Sequence, residues 1–179
     1  MKWYKAVAIL GATIIGGSFA VLFALGRLPD ADRFRTSTDI DAPPAKVWAF
    51  LDDEQNMKQW VSWLDDIKRT GPHGPGSVLT ITMKDANNGG QIMRFDSRCT
   101  EYVPGSLLSE SMNAPEYGVE GAVSYRLTDL GNGRTRLETD SRFHFAQWFS
   151  NLMTPLVMPA ARGKMLGDIE HFKALVEKS

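Results

Sequence analysis

Residues 121–145, GAVSYRLTDLGNGRTRLETDSRFHF, read as two strands joined by a tight turn. In the first, Val123, Tyr125 and Leu127 alternate with Ser124, Arg126 and Thr128. Gly131-Asn132-Gly133 supplies the turn. In the second, Leu137, Thr139, Ser141, Phe143 and Phe145 alternate with Arg136, Glu138, Asp140, Arg142 and His144. A two-residue period with one charged side is the mark of an antiparallel sheet covered on one face and wet on the other. The cover follows directly. After Ser150, Met165, Ile169, Phe172 and Val176 recur at helical intervals, with Pro155 and Pro159 near the start of that helix.

Working toward the N-terminus, the same alternation persists. Ser77–Lys84 sets Leu79, Ile81 and Met83 against Val78, Thr80 and Thr82, and Asn87-Asn88-Gly89-Gly90 is a hairpin signal. Gln91–Val103 puts Met93, Phe95, Ser97, Cys99 and Val103 on one face, and Pro104-Gly105 turns the chain into Ser106–Asn113. Asp66–Thr70 is a weak strand closed by a Gly/Pro-rich loop. Further upstream, Arg33–Asp41 is rich in β-formers and stops at Pro43-Pro44. Two short helices follow, Ala45–Leu51 and Glu54–Leu64, the second with Met57, Trp60, Val61 and Leu64 at intervals of three and four. The order is strand, two helices, a run of antiparallel strands and one long helix. That predicts an α+β fold in which a curved antiparallel sheet wraps a long C-terminal helix.

The 179 residues suit one domain of ordinary composition, 43% hydrophobic and 23% charged. Twenty Lys and Arg balance 21 Asp and Glu, so no basic field draws the chain to nucleic acid. One cysteine, Cys99, excludes an internal disulfide framework, and three separated histidines offer no metal motif. No cofactor fingerprint is present. Asp52-Asp53-Glu54 and Asp65-Asp66 read as helix caps and solvated acids.

The N-terminus stands apart. Ala6–Gly26 is a run of 21 uncharged residues, AVAILGATIIGGSFAVLFALG, preceded by Lys2 and Lys5 and ended by Arg27, Pro29 and Asp30. At helical rise it spans about 31 Å, matching a bilayer core. A cleaved signal peptide at Ser18-Phe19-Ala20 is the alternative, but cleavage there leaves Val21-Leu22-Phe23-Ala24-Leu25 as an apolar new terminus. The expectation is an uncleaved single-pass membrane anchor over residues 1–26, a linker over 27–32 and a folded domain over 33–179. The short basic tail places that domain on the extracytoplasmic side of the cell membrane, although flanking charge does not decide the orientation. The linker reaches at most roughly 20 Å, so the domain stays near the membrane.

The domain resembles the START-like helix-grip superfamily (SRPBCC), in its polyketide cyclase/dehydrase and lipid-transport branch. The residues that carry the resemblance are Ile40-Asp41-Ala42-Pro43-Pro44-Ala45-Lys46-Val47-Trp48-Ala49-Phe50-Leu51, then Asp53, Trp60, Trp63, Leu64 and Ile67. Glu101-Tyr102-Val103-Pro104-Gly105-Ser106-Leu107-Leu108 and Ile169-Glu170-His171-Phe172-Lys173-Ala174-Leu175 complete it. These motifs mark turns, a helix start and core positions, not a reaction centre. The resemblance implies the helix-grip fold, with a cavity between sheet and terminal helix that takes a hydrophobic small molecule or lipid.

On the strand faces, such a cavity would be lined by Leu79, Ile81, Met83, Met93, Phe95, Ser97 and Cys99 from the first strands. Tyr125, Leu127, Thr139, Ser141, Phe143 and Phe145 would line it from the last two, with Met158, Met165 and Phe172 covering it from the helix. Taken singly, these residues read as an ordinary filled core, and taken as a set with the resemblance they read as a cavity; a filled core would give the domain a structural or partner-binding role. Glu110, between Leu108 and Met112, is the best candidate for an inward carboxylate, and it or another inward polar group would serve acid–base chemistry of the cyclase/dehydrase kind; the more ordinary reading is an exposed or edge-strand glutamate. His144, on the charged face, and His171 read as solvated. Cys99 lacks the basic neighbours of a reactive thiolate.

Overall fold

The computed structural model describes residues 17–85, 90–145 and 150–179. Seven strands form one antiparallel sheet in the order β1-β7-β6-β5-β4-β3-β2. They are β1 Arg33–Ile40, β2 Leu64–Thr70, β3 Val78–Asp85, β4 Gln91–Val103, β5 Leu107–Ala114, β6 Val119–Gly131 and β7 Arg134–Phe145. Between β1 and β2 lie α1, Pro44–Asp52, and α2, Glu54–Trp60; the chain closes with α3, Ser150–Lys178. A 3-10 turn, Pro115–Tyr117, links β5 to β6. The expected α+β arrangement of sheet and terminal helix is what the chain adopts.

Local chemistry explains each boundary. Pro44 occupies the first turn of α1, where a missing N–H costs nothing. Asp53 caps α2 by accepting from the Asn56 N–H at 2.8 Å. The second helix stops at Trp60, four residues short of the expected Leu64. There the Asp168 carboxylate of α3 captures the Ser62 N–H at 3.0 Å, Trp63 takes a left-handed φ of 70°, and Leu64 joins β2 opposite Met83.

A second departure lies in β4. A bulge between Cys99 and Glu101 reverses the alternation, so Tyr102 turns inward and Val103 outward, against the expected face.

Two apolar clusters fill the concave side. At one end, Ile40, Val47, Leu51, Trp60, Leu137 and Phe172 pack with Leu108, Leu127, Ile169 and Val176. Trp60 meets Phe172 edge-on at 5.0 Å, and its indole N–H donates to the Phe50 carbonyl at 3.1 Å. The other cluster gathers Ile67, Leu79, Ile81, Phe95 and Ala114.

Helix α3 meets both edges of the sheet within about 9 Å of its length, so the sheet curls around it. Arg162 donates to the Arg33 carbonyl of β1, and Asp168 holds Ser62 just before β2. Before Asp168 the helix carries Pro155, Pro159, Gly163 and Gly167, and nothing lies within 4 Å of a Cβ built on either glycine. Its last part carries Ile169, Phe172 and Val176 into the first cluster.

Residues 17–26 are helical, with Phe19, Val21 and Leu25 exposed. The rest of the expected membrane segment, residues 6–16, lies outside the described residues. Among the described residues no helix is long and apolar enough to cross a membrane.

Candidate functional site

The inward face of the sheet is not uniformly apolar. Along β4 the inward positions run Phe95, Ser97, Cys99; along β5 they run Leu108, Glu110, Met112, Ala114. Phe95 and Ala114 belong to one apolar cluster, and Cys99 and Leu108 to the other. Ser97 and Glu110 therefore sit on the boundary between them. The register extends this boundary across the sheet: Glu110 stands opposite Val123, Val123 opposite Ser141, and Tyr125 opposite Thr139. Ser97, Glu110, Tyr125, Thr139 and Ser141 thus form a polar band crossing the apolar concave face.

The band is only partly satisfied. The Ser97 hydroxyl donates to Glu110 Oε2 at 3.0 Å, and both residues are buried. Burial pushes the Glu110 carboxyl above its usual range, with the Ser97 hydrogen bond and the Arg69 charge opposing. Tyr125 is half-buried and packs against the first apolar cluster. Burial, then the charges of Glu110 and Asp168, raise its phenol and keep it a proton donor. Thr139 Oγ1 is buried with no hydrogen-bond partner among the described protein groups. A buried hydroxyl left unpaired is a cost that native structures rarely carry.

Beside the band lies a second polar network that the sequence reading did not identify. Tyr102, turned inward by the bulge, donates to Asp52 at 2.7 Å. Asp52 also meets His73 Nδ1 at 3.2 Å and the guanidinium of Arg69, which pairs with Glu54 as well. Asp52 is thus a half-buried acceptor of several contacts and not the solvated acid expected at a helix end. Burial and the Asp52 contact push the Tyr102 phenol up to about 12.

The remaining expected lining residues divide by position. Leu79, Ile81, Phe95, Cys99, Leu127 and Ser141 are buried on the concave side, with Met83 and Phe143 half-buried. On α3, Met158 is buried and Met165 half-buried, while Phe172 lies within the filled cluster against Trp60 rather than over an open space. Met93 departs from the enclosed position expected of it: at the first residues of β4 it stands on the rim, exposed. The side chain of Phe145 lies outside the described residues. Burial raises the Cys99 thiol, in keeping with an unreactive cysteine. His144 and His171 are exposed.

Two hollows stand out on the surface, and both lie on the outer side of the sheet. One of about 480 Å³ is lined by Arg35, Ser124, Arg126, Glu138, Thr139 and Asp140, the other of about 310 Å³ by Arg33, Ser109, Ser124, Asp140 and Arg142, with Glu110 and Val123 of the inward positions also reaching its wall. Their walls are charged and mixed in sign. No group of acidic, histidine or cysteine side chains among the described residues could hold a metal ion.

A family model described as polyketide cyclase / dehydrase and lipid transport matches residues 31–177. No curated protein sequence matches the chain. Among solved structures, the ZhuI aromatase/cyclase from Streptomyces sp. R1128 is similar at 16% identity and TM-score 0.66, over 82% of this chain and 93% of that one. A conserved protein from Geobacillus kaustophilus is similar at 12% identity and TM-score 0.67, over 82% and 96%. Norcoclaurine synthase from Thalictrum flavum, solved with dopamine and hydroxybenzaldehyde, is similar at 12% identity and TM-score 0.58, over 82% and 86%. At these identities the likeness is one of fold.

Proposed function

The chain belongs to the polyketide cyclase / dehydrase and lipid transport family, and on that footing we propose that it is a membrane-tethered binder of a hydrophobic small molecule or lipid. The ligand lies between the concave face of the sheet and α3. The observation that carries this reading is the polar band, with the Thr139 hydroxyl buried and unpaired opposite Tyr125 in the register. An apolar site with a few fixed polar groups is how proteins orient small ligands. The fit is to a mostly apolar molecule bearing one or two hydrogen-bonding groups.

Residues 6–26 hold the domain at the cell membrane by a single pass, with the domain on the extracytoplasmic side, and the bilayer supplies the ligand. Admission requires the first half of α3 to lift from the sheet. Pro155 and Pro159, each lacking an N–H, weaken that half.

Native mass spectrometry of detergent-extracted full-length protein, followed by denaturing identification, tests the binding. A stoichiometric hydrophobic adduct is the expected result. A clean apo mass after incubation with membrane lipids would refute it and favour a filled core serving a protein partner. Deleting Met1–Gly26 is expected to lower ligand occupancy in cells, and unchanged occupancy would refute the bilayer as source.

A second reading is catalytic. Burial raises the Glu110 carboxyl, so it keeps its proton to higher pH than an exposed glutamate, on the strand paired with that of Tyr125. That is the equipment of a general acid for a cyclase/dehydrase-type reaction. The aromatase/cyclase and norcoclaurine synthase similarities support chemistry on this fold. Glu110→Gln would then abolish turnover of the bound molecule while leaving its binding intact.

A further inference from the structure

We infer that the end of the domain nearest residues 6–26 is a bilayer-docking rim, pressed onto the same membrane those residues enter. This rests on the reading of residues 6–26 as a bilayer segment.

The strand register defines two ends of the sheet. At one end lie the start of β1 at Arg33 opposite Arg142, the end of β7 at Phe145 opposite Val119, the end of β5 at Ala114, and the start of β4 at Gln91 opposite Asp85. At the other lie the turns at Gly105, Asn132 and Gly71–Gly76.

Exposed large apolar side chains are distributed unevenly between them. Leu28, Ile92, Met93, Tyr117, Leu156 and Val157 are all exposed and belong to the first end. Leu156 follows β7 closely: α3 begins at Ser150, and Leu156 is about 9 Å further along it at helical rise. The opposite end shows Val103 alone among the large hydrophobics of the described residues. Scattered exposed apolar residues are ordinary, but a one-ended set has a cause.

The occupant follows from where the chain comes in. The 21-residue uncharged run ends at Gly26, seven residues before Arg33 opens β1 at this same end. Nor is the joint loose. The Arg162 guanidinium donates to the carbonyls of Asp30 at 3.0 Å, Ala31 at 3.0 Å and Arg33 at 2.9 Å. It clamps the linker to α3, so the rim must face the surface from which the linker emerges. The Tyr117 hydroxyl donates to the Ile92 carbonyl at 2.9 Å, tying the β5–β6 turn to the start of β4 in one surface. Because the first half of α3 belongs to this rim, the lifting part of the helix opens against lipid and not against water.

The test uses the full chain in phosphatidylcholine nanodiscs, one chain per disc, with a maleimide fluorophore on Met93→Cys, Leu156→Cys or Val103→Cys. Cys99 is buried and escapes labelling. Interfacial elements sit about 5–10 Å into the headgroup and acyl boundary, so brominated phosphatidylcholine should cut emission from positions 93 and 156 by roughly half and leave position 103 unchanged. Adding Ile92→Glu to the Leu156→Cys chain should abolish the quenching while the protein still co-elutes with the disc. A chain that co-elutes but is not quenched at 93 and 156 overturns the rim alone. A chain that does not co-elute overturns the membrane segment and the rim together.

Discussion

Thr139→Val inverts the usual expectation for a buried substitution. The Thr139 hydroxyl is buried and meets no protein partner, so the folded chain bears its desolvation without a compensating bond. Leaving such a group unsatisfied costs about 1–3 kcal/mol, which replacement by a methyl of similar shape removes. For a domain of this size each kcal/mol moves Tm by about 2–4 °C, so the ligand-stripped variant should melt about 2–12 °C higher than the parent. The two proteins are compared by calorimetry in the same detergent, stripped of bound lipid and then again after loading with the co-purified ligand. In the loaded state the order should narrow or reverse, because a ligand that bonds the hydroxyl stabilises only the parent, by about 1 kcal/mol. If the stripped variant is less stable than the parent, the hydroxyl was paired and the polar band is not poised for a ligand.

Three further outcomes follow from other parts of the fold. Glu110 binds its proton more tightly when folded than when unfolded, so its presence costs nothing below about pH 4.5 and destabilises as pH rises through the raised folded value. Glu110→Gln should therefore match the parent in urea midpoint at low pH and exceed it at pH 8; an advantage independent of pH would contradict the burial argument. Gly121→Ala would place a Cβ 3.0 Å from the Arg142 carbonyl and 3.1 Å from the Phe143 ring, costing about 1–3 kcal/mol in chemical denaturation, part of it recovered with Phe143→Leu. Phe172→Ala empties a fully buried position against Trp60 and should cost about 3–5 kcal/mol, read by calorimetry together with a red shift of tryptophan emission.

The strands and the closing helix were legible because alternation and turn residues are local signals. Asn132 between two glycines and Pro104-Gly105 place hairpins without knowledge of the partner strand. The bulge after Cys99 was not legible, since nothing in Arg98-Cys99-Thr100-Glu101 departs from alternation; the extra residue is seen only against β5. Hence Val103 was assigned inward and Tyr102 outward, and the Tyr102–Asp52 contact went unseen. Glu110 could be named from its strand position, but its partnership with Ser97 needs the β4–β5 register. The early end of α2 is likewise a long-range effect, imposed by Asp168 from more than a hundred residues away.

Helix α3 divides into a part held in the main cluster and a part held by fewer contacts, chiefly the buried Met158 and the Arg162 bonds to the linker. From Asp168 onward it is pinned by the Ser62 contact and by Ile169, Phe172 and Val176 in the main cluster. Before that, two prolines withhold hydrogen-bond donors and two glycines pack against nothing. Amide exchange along a single continuous helix should therefore fall into two classes, one governed by local opening and one by global unfolding. Access to the interior is thereby uncoupled from the integrity of the domain: one end of the helix acts as a latch and the other as its hinge plate.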